Sequence, residues 1–227
     1  MTRAEFPKAY DGVLDLAIRY QAEDLKSVVV ASLKDDWPSA LTHWDMREAT
    51  IRTEMKGSDG SPNSFYPNPV DAIQMAMEHK IYDILPVAFY DLSRLYHIEK
   101  LSPEEYGKPR TYNLGSWPLE LRIIQGVVAI QERTSARFVD SDLRRLATCE
   151  RPPTDTSCQM RIDQFLGGPV RRAARISFDP IGWINQATAF SGGLEACRTC
   201  RAACAKGMQD IRRELWMQLP DCFELTV

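Results

Sequence analysis

From Val13 to Leu33 apolar side chains return at helical spacing, first at Val13, Leu14, Ala17 and Ile18 and again at Leu25, Val28, Val29 and Ala31 to Leu33. The polar stretch Gln21-Ala22-Glu23-Asp24 divides them, which predicts two short packed helices rather than one long one. Trp37-Pro38-Ser39 is a break, because proline lacks a donor and restricts the residue before it. Residues 56–69, KGSDGSPNSFYPNP, offer no periodic face and read as a loop. Beyond Pro69, Val70, Ile73, Met75, Ala76 and Met77 predict a helix with Asp71 near its first turn, where an anion is favourable. Val87 to Tyr96 is long, aromatic and apolar, which places it at the centre of the core, with Pro86 tolerated in its first turn.

Residues 101–118 are turn-rich, carrying Pro103, Gly107, Pro109, Gly115 and Pro118. The stretch Leu119, Leu121, Ile123, Ile124, Val127, Val128, Ile130 suits either a strand or a helix, and its length favours helix. CERPPTDTS at 149–157 breaks the chain again, and Gly167-Gly168-Pro169 and Asp179-Pro180-Ile181-Gly182 bracket an Arg-rich segment. Ser191-Gly192-Gly193 precedes a final helix expected from about Leu194 to Leu219 and ended by Pro220. The expected fold is mostly α, an irregular helical bundle with a long C-terminal helix. Its parts are 1–55, a central body over 70–148, and a cysteine-containing region over 149–227 packed with that body.

Composition narrows the class. The 227 residues are 44% hydrophobic, enough for a sizeable core, and a formal net charge of -3 argues against disorder and against a dedicated nucleic-acid binder. Residues 1–140 carry 16 basic and 21 acidic side chains and residues 141–227 carry 12 and 10, a contrast that creates no strongly basic groove. MTRAEFPKAY lacks signal-peptide character and no stretch reaches the roughly 18 apolar residues that a membrane span needs. A soluble protein of the cytoplasm or nucleus is the expectation. All six cysteines lie after residue 148, too sparse for a secreted disulfide scaffold, which points to free thiols or a metal site.

Cys197, Cys200 and Cys204 carry the most chemistry. Cys-x2-Cys is a zinc and redox spacing, and Cys149 and Cys158, some forty residues upstream, are the candidates to complete a four-ligand zinc site. The competing account is that positions i, i+3 and i+7 share a helical face, where cysteine packs as a small hydrophobe. Cys222 joins a site only if the tail folds back. His43, His79 and His97 are scattered and read as ordinary surface or hydrogen-bonded histidines, with no His-Glu-x-x-His motif. Gly167-Gly168 and Gly192-Gly193 lack phosphate-loop context.

No catalytic residue is indicated, and no cofactor other than structural zinc. Arg171, Arg172 and Arg175 form a small cationic group that suits phosphate or an acidic partner, or simply a solvated face. Ile211, Leu215, Leu219 and Trp216 make an amphipathic stripe expected to pack back on its own domain. Trp44 and Tyr90 are core candidates first and interface anchors second.

DGVLDLAIRYQAEDLKSVVVASLKDDWPSALTHWD resembles the end of a BTB/POZ domain and its exit in the BTB proteins of mushroom-forming basidiomycete fungi. PNPVDAIQMAMEHKIYDILPVAFYDLSRL, with its signature at Val87 to Ser93, is similar to the BACK-like helical segment that follows there. ACRTCRAACAKGMQDIRRELWMQLPDCFEL is similar to that family's cysteine pair, tryptophan and leucine-proline ending. The resemblance implies BTB-end helices over 1–55 and a BTB core preceding residue 1, so that the chain is a remnant or fragment of an adaptor protein. It implies a non-enzymatic protein-protein interaction or scaffold module with a protein partner, while the lack of a long apolar run argues against a membrane and the charge balance mildly against nucleic acid. Its interaction candidates are Trp44, Tyr90, Arg171, Arg172, Arg175 and Trp216. The alternatives are a zinc-stabilised regulatory or nucleic-acid-binding module using Cys149, Cys158, Cys197 and Cys200, and a small enzyme with a site assembled from dispersed residues.

Overall fold

A computed structural model describes residues 6–56, 65–101, 117–140, 149–152, 155–167 and 179–225. Among these, every regular element is helical. The chain divides into two compact units, residues 1–126 with 223–227, and residues 127–222.

In the first unit, α1 (Lys8–Arg19) and α2 (Glu23–Asp36) are the two short helices expected, parted where Gln21 takes φ 55. Glu23 and Asp24 at the start of α2 and Lys34 at its end complement the helix dipole. Trp37, held before Pro38, ends α2, and α3 (Leu41–Lys56) follows. The helix α4 (Pro69–Glu78) begins with proline in its first turn and with Asn68 as N-cap, its side chain accepting the Val70 N–H at 3.0 Å.

A 3-10 turn at Tyr82–Ile84 leads into α5 (Leu85–Leu101). Residues 87–95 of α5 are buried on all sides, as expected of the central helix, yet they include Asp91 and Arg94 as well as Phe89, Tyr90 and Leu92. The stretch that suited strand or helix is α6 (Trp117–Asp140), and its residues up to Gly126 belong to this unit. Glycine is required at 126, because a Cβ there would run into the Phe223 ring, which stacks on Phe89 with centroids 5.5 Å apart.

The second unit takes the remainder of α6, then α7 (Ser157–Phe165), α8 (Pro180–Phe190), a 3-10 turn at Ser191–Gly193, α9 (Arg198–Met217) and the short α10 (Leu219–Cys222). Asp179 caps α8 by accepting the Gly182 N–H at 2.9 Å. The helix α9 buries Cys200, Cys204, Met208, Ile211 and Leu215, a stripe at helical spacing, and the buried Arg212 donates from Nε to the Ile181 carbonyl at 2.9 Å. The final helix starts four residues later than the expected Leu194. The 3-10 turn and then an extended Cys197, at φ -64 and ψ 161, hold the chain out of the helix until Arg198. No described helix is long and apolar enough to cross a membrane.

Candidate metal centre

Two helix N-termini of the second unit converge on sulfur. Cys158 sits in the first turn of α7 and Cys149 lies in the segment leading to it, while Cys197 is the N-cap of α9 and Cys200 is in that helix's first turn. The four Sγ atoms all lie within 4.8 Å of one another, and Cys149 Sγ is 3.9 Å from Cys197 Sγ. A disulfide needs about 2.05 Å, so these are thiols rather than bonded pairs. Four sulfurs at about 2.3 Å around one zinc ion stand about 3.8 Å apart along each tetrahedral edge. The Cys149–Cys197 separation matches that edge.

Other groups fix this arrangement. Glu150, next to Cys149, accepts the Thr199 N–H at 3.2 Å and also bonds the Thr199 hydroxyl, so a carboxylate pins the upstream strand of chain to the start of α9. Asp155 accepts the Ser157 N–H at 2.9 Å and starts α7. Arg151 bonds the Ser157 hydroxyl and pairs with Asp155 at 3.4 Å. The Cys197 N–H donates to Cys158 Sγ at 3.2 Å, the kind of amide contact that steadies a metal-bound thiolate.

The electrostatics of the four thiols are uneven. Backbone N–H groups of Cys200 and Glu150, aided by neighbouring thiols, bring Cys197 down to about 6. Burial and the thiols of Cys197 and Cys149 push Cys200 up. At Cys158 the Cys197 N–H pulls the value down, but burial and the Cys149 and Cys197 thiols together outweigh it and leave it raised. Arg151 is held above its ordinary value, chiefly by Cys158. With protein groups alone, Cys158 and Cys200 are held toward the protonated form; a dication among the sulfurs would favour the thiolates. Cys204 and Cys222 are not in the cluster. Both are buried thiols, raised by burial, Cys204 to about 11.

The expected zinc set is thus brought together in space. Of the interaction candidates, Trp44 and Tyr90 are 2% and 0% exposed and Trp216 is 7% exposed, so all three sit in the interior of their units. Arg171, Arg172 and Arg175 lie outside the described residues. Trp44 instead walls a buried charge network. Arg47 donates to Asp91 at 2.8 Å and to Glu48 at 3.1 Å, Arg94 donates to Glu48 at 2.6 and 2.9 Å and to Asp91 at 2.7 Å, and Trp37 Nε1 donates to Asp91 at 3.1 Å. The Arg47 and Arg94 guanidinium carbons lie 4.6 and 4.9 Å from the Trp44 ring centre, and 5.8 and 5.4 Å from that of Tyr66.

Burial raises the Asp91 carboxyl, but Arg47 and Arg94 outweigh it and hold it below the ordinary value; burial is the main reason that Tyr66 is pushed up to about 12. Sequence reading missed this network. Its visible trace was Asp91 and Arg94 at i, i+3 inside an otherwise apolar helix. Two cations and two carboxylates neutralise one another there, so the network is a structural lock. Comparison of the chain with protein-family models, curated proteins and solved structures found no match to any of them.

Proposed function

We propose that the chain is a zinc-stabilised, non-enzymatic helical module for protein-protein interaction, with Zn2+ held by Cys149, Cys158, Cys197 and Cys200. The observation that carries the reading is the convergence of four sulfurs within 4.8 Å from two helix starts and their approach segments. Four sulfur donors make a closed tetrahedral shell with no position left for a substrate, so the ion acts by fixing structure rather than by activating water. It ties the start of α7 to the start of α9. All-thiolate ligation also favours zinc over calcium or magnesium, which prefer oxygen.

The interaction role is supported by large apolar side chains standing in solvent, Leu16 on α1, Tyr20 at its C-cap, and Leu25 and Val28 on α2. The resemblance to the fungal BTB proteins points the same way, toward the remnant or fragment of an adaptor. Unpaired cysteines suit a reducing compartment, the cytosol or nucleus. The test is metal analysis of protein purified under reducing conditions without chelator. One zinc per chain is expected, lost in Cys197→Ser and Cys200→Ser; a metal content near zero in the unaltered protein refutes the reading.

A further inference from the structure

In the first unit, away from the cysteines, α4 ends in a way that fixes one imidazole. His79 is the C-cap, Lys80 takes φ 58, and the Ile81 N–H reaches the Ala76 carbonyl at 2.8 Å, the closure of a Schellman turn. This backbone lock turns the His79 side chain inward until it is only 6% exposed, facing α1. Nε2 is buried and has no hydrogen-bond partner among the described residues. The Oδ1 atoms of Asp11 and Asp15 stand 3.4 and 3.7 Å from it without forming hydrogen bonds. A ligand atom of Glu78 completes the set, so that those of Asp11, Glu78 and His79 lie within 4.8 Å of one another.

An orphaned buried nitrogen facing carboxylates is costly by itself. Asp11 and Asp15 make it worse, since like charges at i, i+4 on one helix repel. A proton on Nε2 would address the charge but not the geometry, because a donated hydrogen bond would draw the carboxylate closer and into line. A small dication addresses both. With nitrogen at about 2.0 Å and carboxylate oxygen at about 2.1 Å, two ligands of a tetrahedral zinc stand about 3.4 Å apart, the separation found between His79 Nε2 and Asp11 Oδ1.

We propose that Asp11, Glu78 and His79, with Asp15 beside them, form a second metal site for a zinc-class divalent transition ion. One imidazole among carboxylates selects this class over magnesium or calcium, which take oxygen alone. Asp11 and Asp15 are about half exposed, so water completes the shell and the ion exchanges with solvent. Its binding clamps α1 to the end of α4. The site shares no residue with the cysteine cluster, and either stands without the other.

Equilibrium dialysis of the full chain against zinc, after its tightly held metal has been counted, tests the site, with cobalt(II) as the spectroscopic probe. Uptake of one further equivalent is expected, and cobalt there gives weak visible bands without sulfur charge transfer. Asp11→Asn and Glu78→Gln, both surface changes, weaken that equivalent by more than about tenfold and leave the tightly held metal unchanged. His79→Gln abolishes it. Failure to take up the further equivalent at millimolar zinc, uptake unaffected by Asp11→Asn and Glu78→Gln, or sulfur charge transfer in the cobalt spectrum overturns the proposal.

Discussion

The two units solve the problem of buried polarity in opposite ways. In the first, Arg47, Glu48, Asp91 and Arg94 carry full charges into the interior and satisfy them with one another, with the Trp37 indole and with the faces of Trp44 and Tyr66. The opposite charges there are matched by protein groups, although the buried Arg47 Nε has no hydrogen-bond partner among the described residues. In the second, four thiols converge with the amide N–H groups of Glu150, Cys197 and Cys200 and a long sulfur contact among them, and the charges of four thiolates would have no protein counterpart of equal size. Under the proposed zinc ligation that cluster is a half-built site, which a cation would complete. A buried network closed on itself reads as architecture, whereas one whose atoms share a centre without satisfying one another reads as a binding site.

The difference predicts separable stability. Structural zinc contributes apparent free energies of about 10–16 kcal/mol in small zinc domains, comparable to or larger than the net stability of an ordinary domain. Removing the ion with a strong chelator under reducing conditions should therefore raise hydrogen exchange sharply at residues 155–167 and over the first two turns of α9. The amides of α4 and α5 should stay protected. Equal loss in both units would break the comparison, and unchanged exchange at α7 would show that the cysteines need no ion.

The first unit is predicted to be insensitive to metal removal at the cysteines but sensitive to a single carboxylate. Asp91→Asn leaves two buried guanidinium groups facing only Glu48, and breaking a buried pair in this way costs about 3–5 kcal/mol. The pH dependence follows from the direction of the Asp91 shift. Its folded value lies below the unfolded value of about 3.9, so its contribution is present above about pH 4 and is lost as pH falls through the folded value. Urea midpoints for Asp91→Asn and the unaltered protein should differ widely at neutral pH and converge in acid. A constant gap across that range would remove Asp91 from the account.

Much of the helical architecture was legible because it rests on local signals. Asn68-Pro69 and Asp179-Pro180 start helices by capping and by a fixed proline φ, and the polar stretch at Gln21 to Asp24 divides two apolar stripes. The zinc set was legible only as alternatives, since Cys149 and Cys158 lie some forty residues from the Cys-x2-Cys pair and a helical face explained the latter equally well. The charge network and the His79 site were not legible. Arg47 meets Asp91 across 44 residues and His79 meets Asp11 through a turn that buries it, and neither juxtaposition has a local spacing.

Cys200 and Cys204 offer the finest test, because periodicity alone cannot tell them apart. They sit one turn apart on the same buried face of α9, and both are almost wholly enclosed. What separates them is company: Cys200 lies beside the chain carrying Cys149 and Cys158, whereas Cys204 joins Met208, Ile211 and Leu215 in the apolar stripe. Burial raises its thiol to about 11, so it is a neutral hydrophobe at pH 7. Cys204→Ala should cost about 1 kcal/mol and leave the zinc content intact, while Cys200→Ala one turn earlier empties the site. Cys204→Ser should cost about 1–3 kcal/mol more than alanine, for an enclosed hydroxyl, still without releasing metal. Thermal melts paired with metal analysis of the three variants check the order, and zinc loss on Cys204→Ala would mean that the helix uses both turns for the ion.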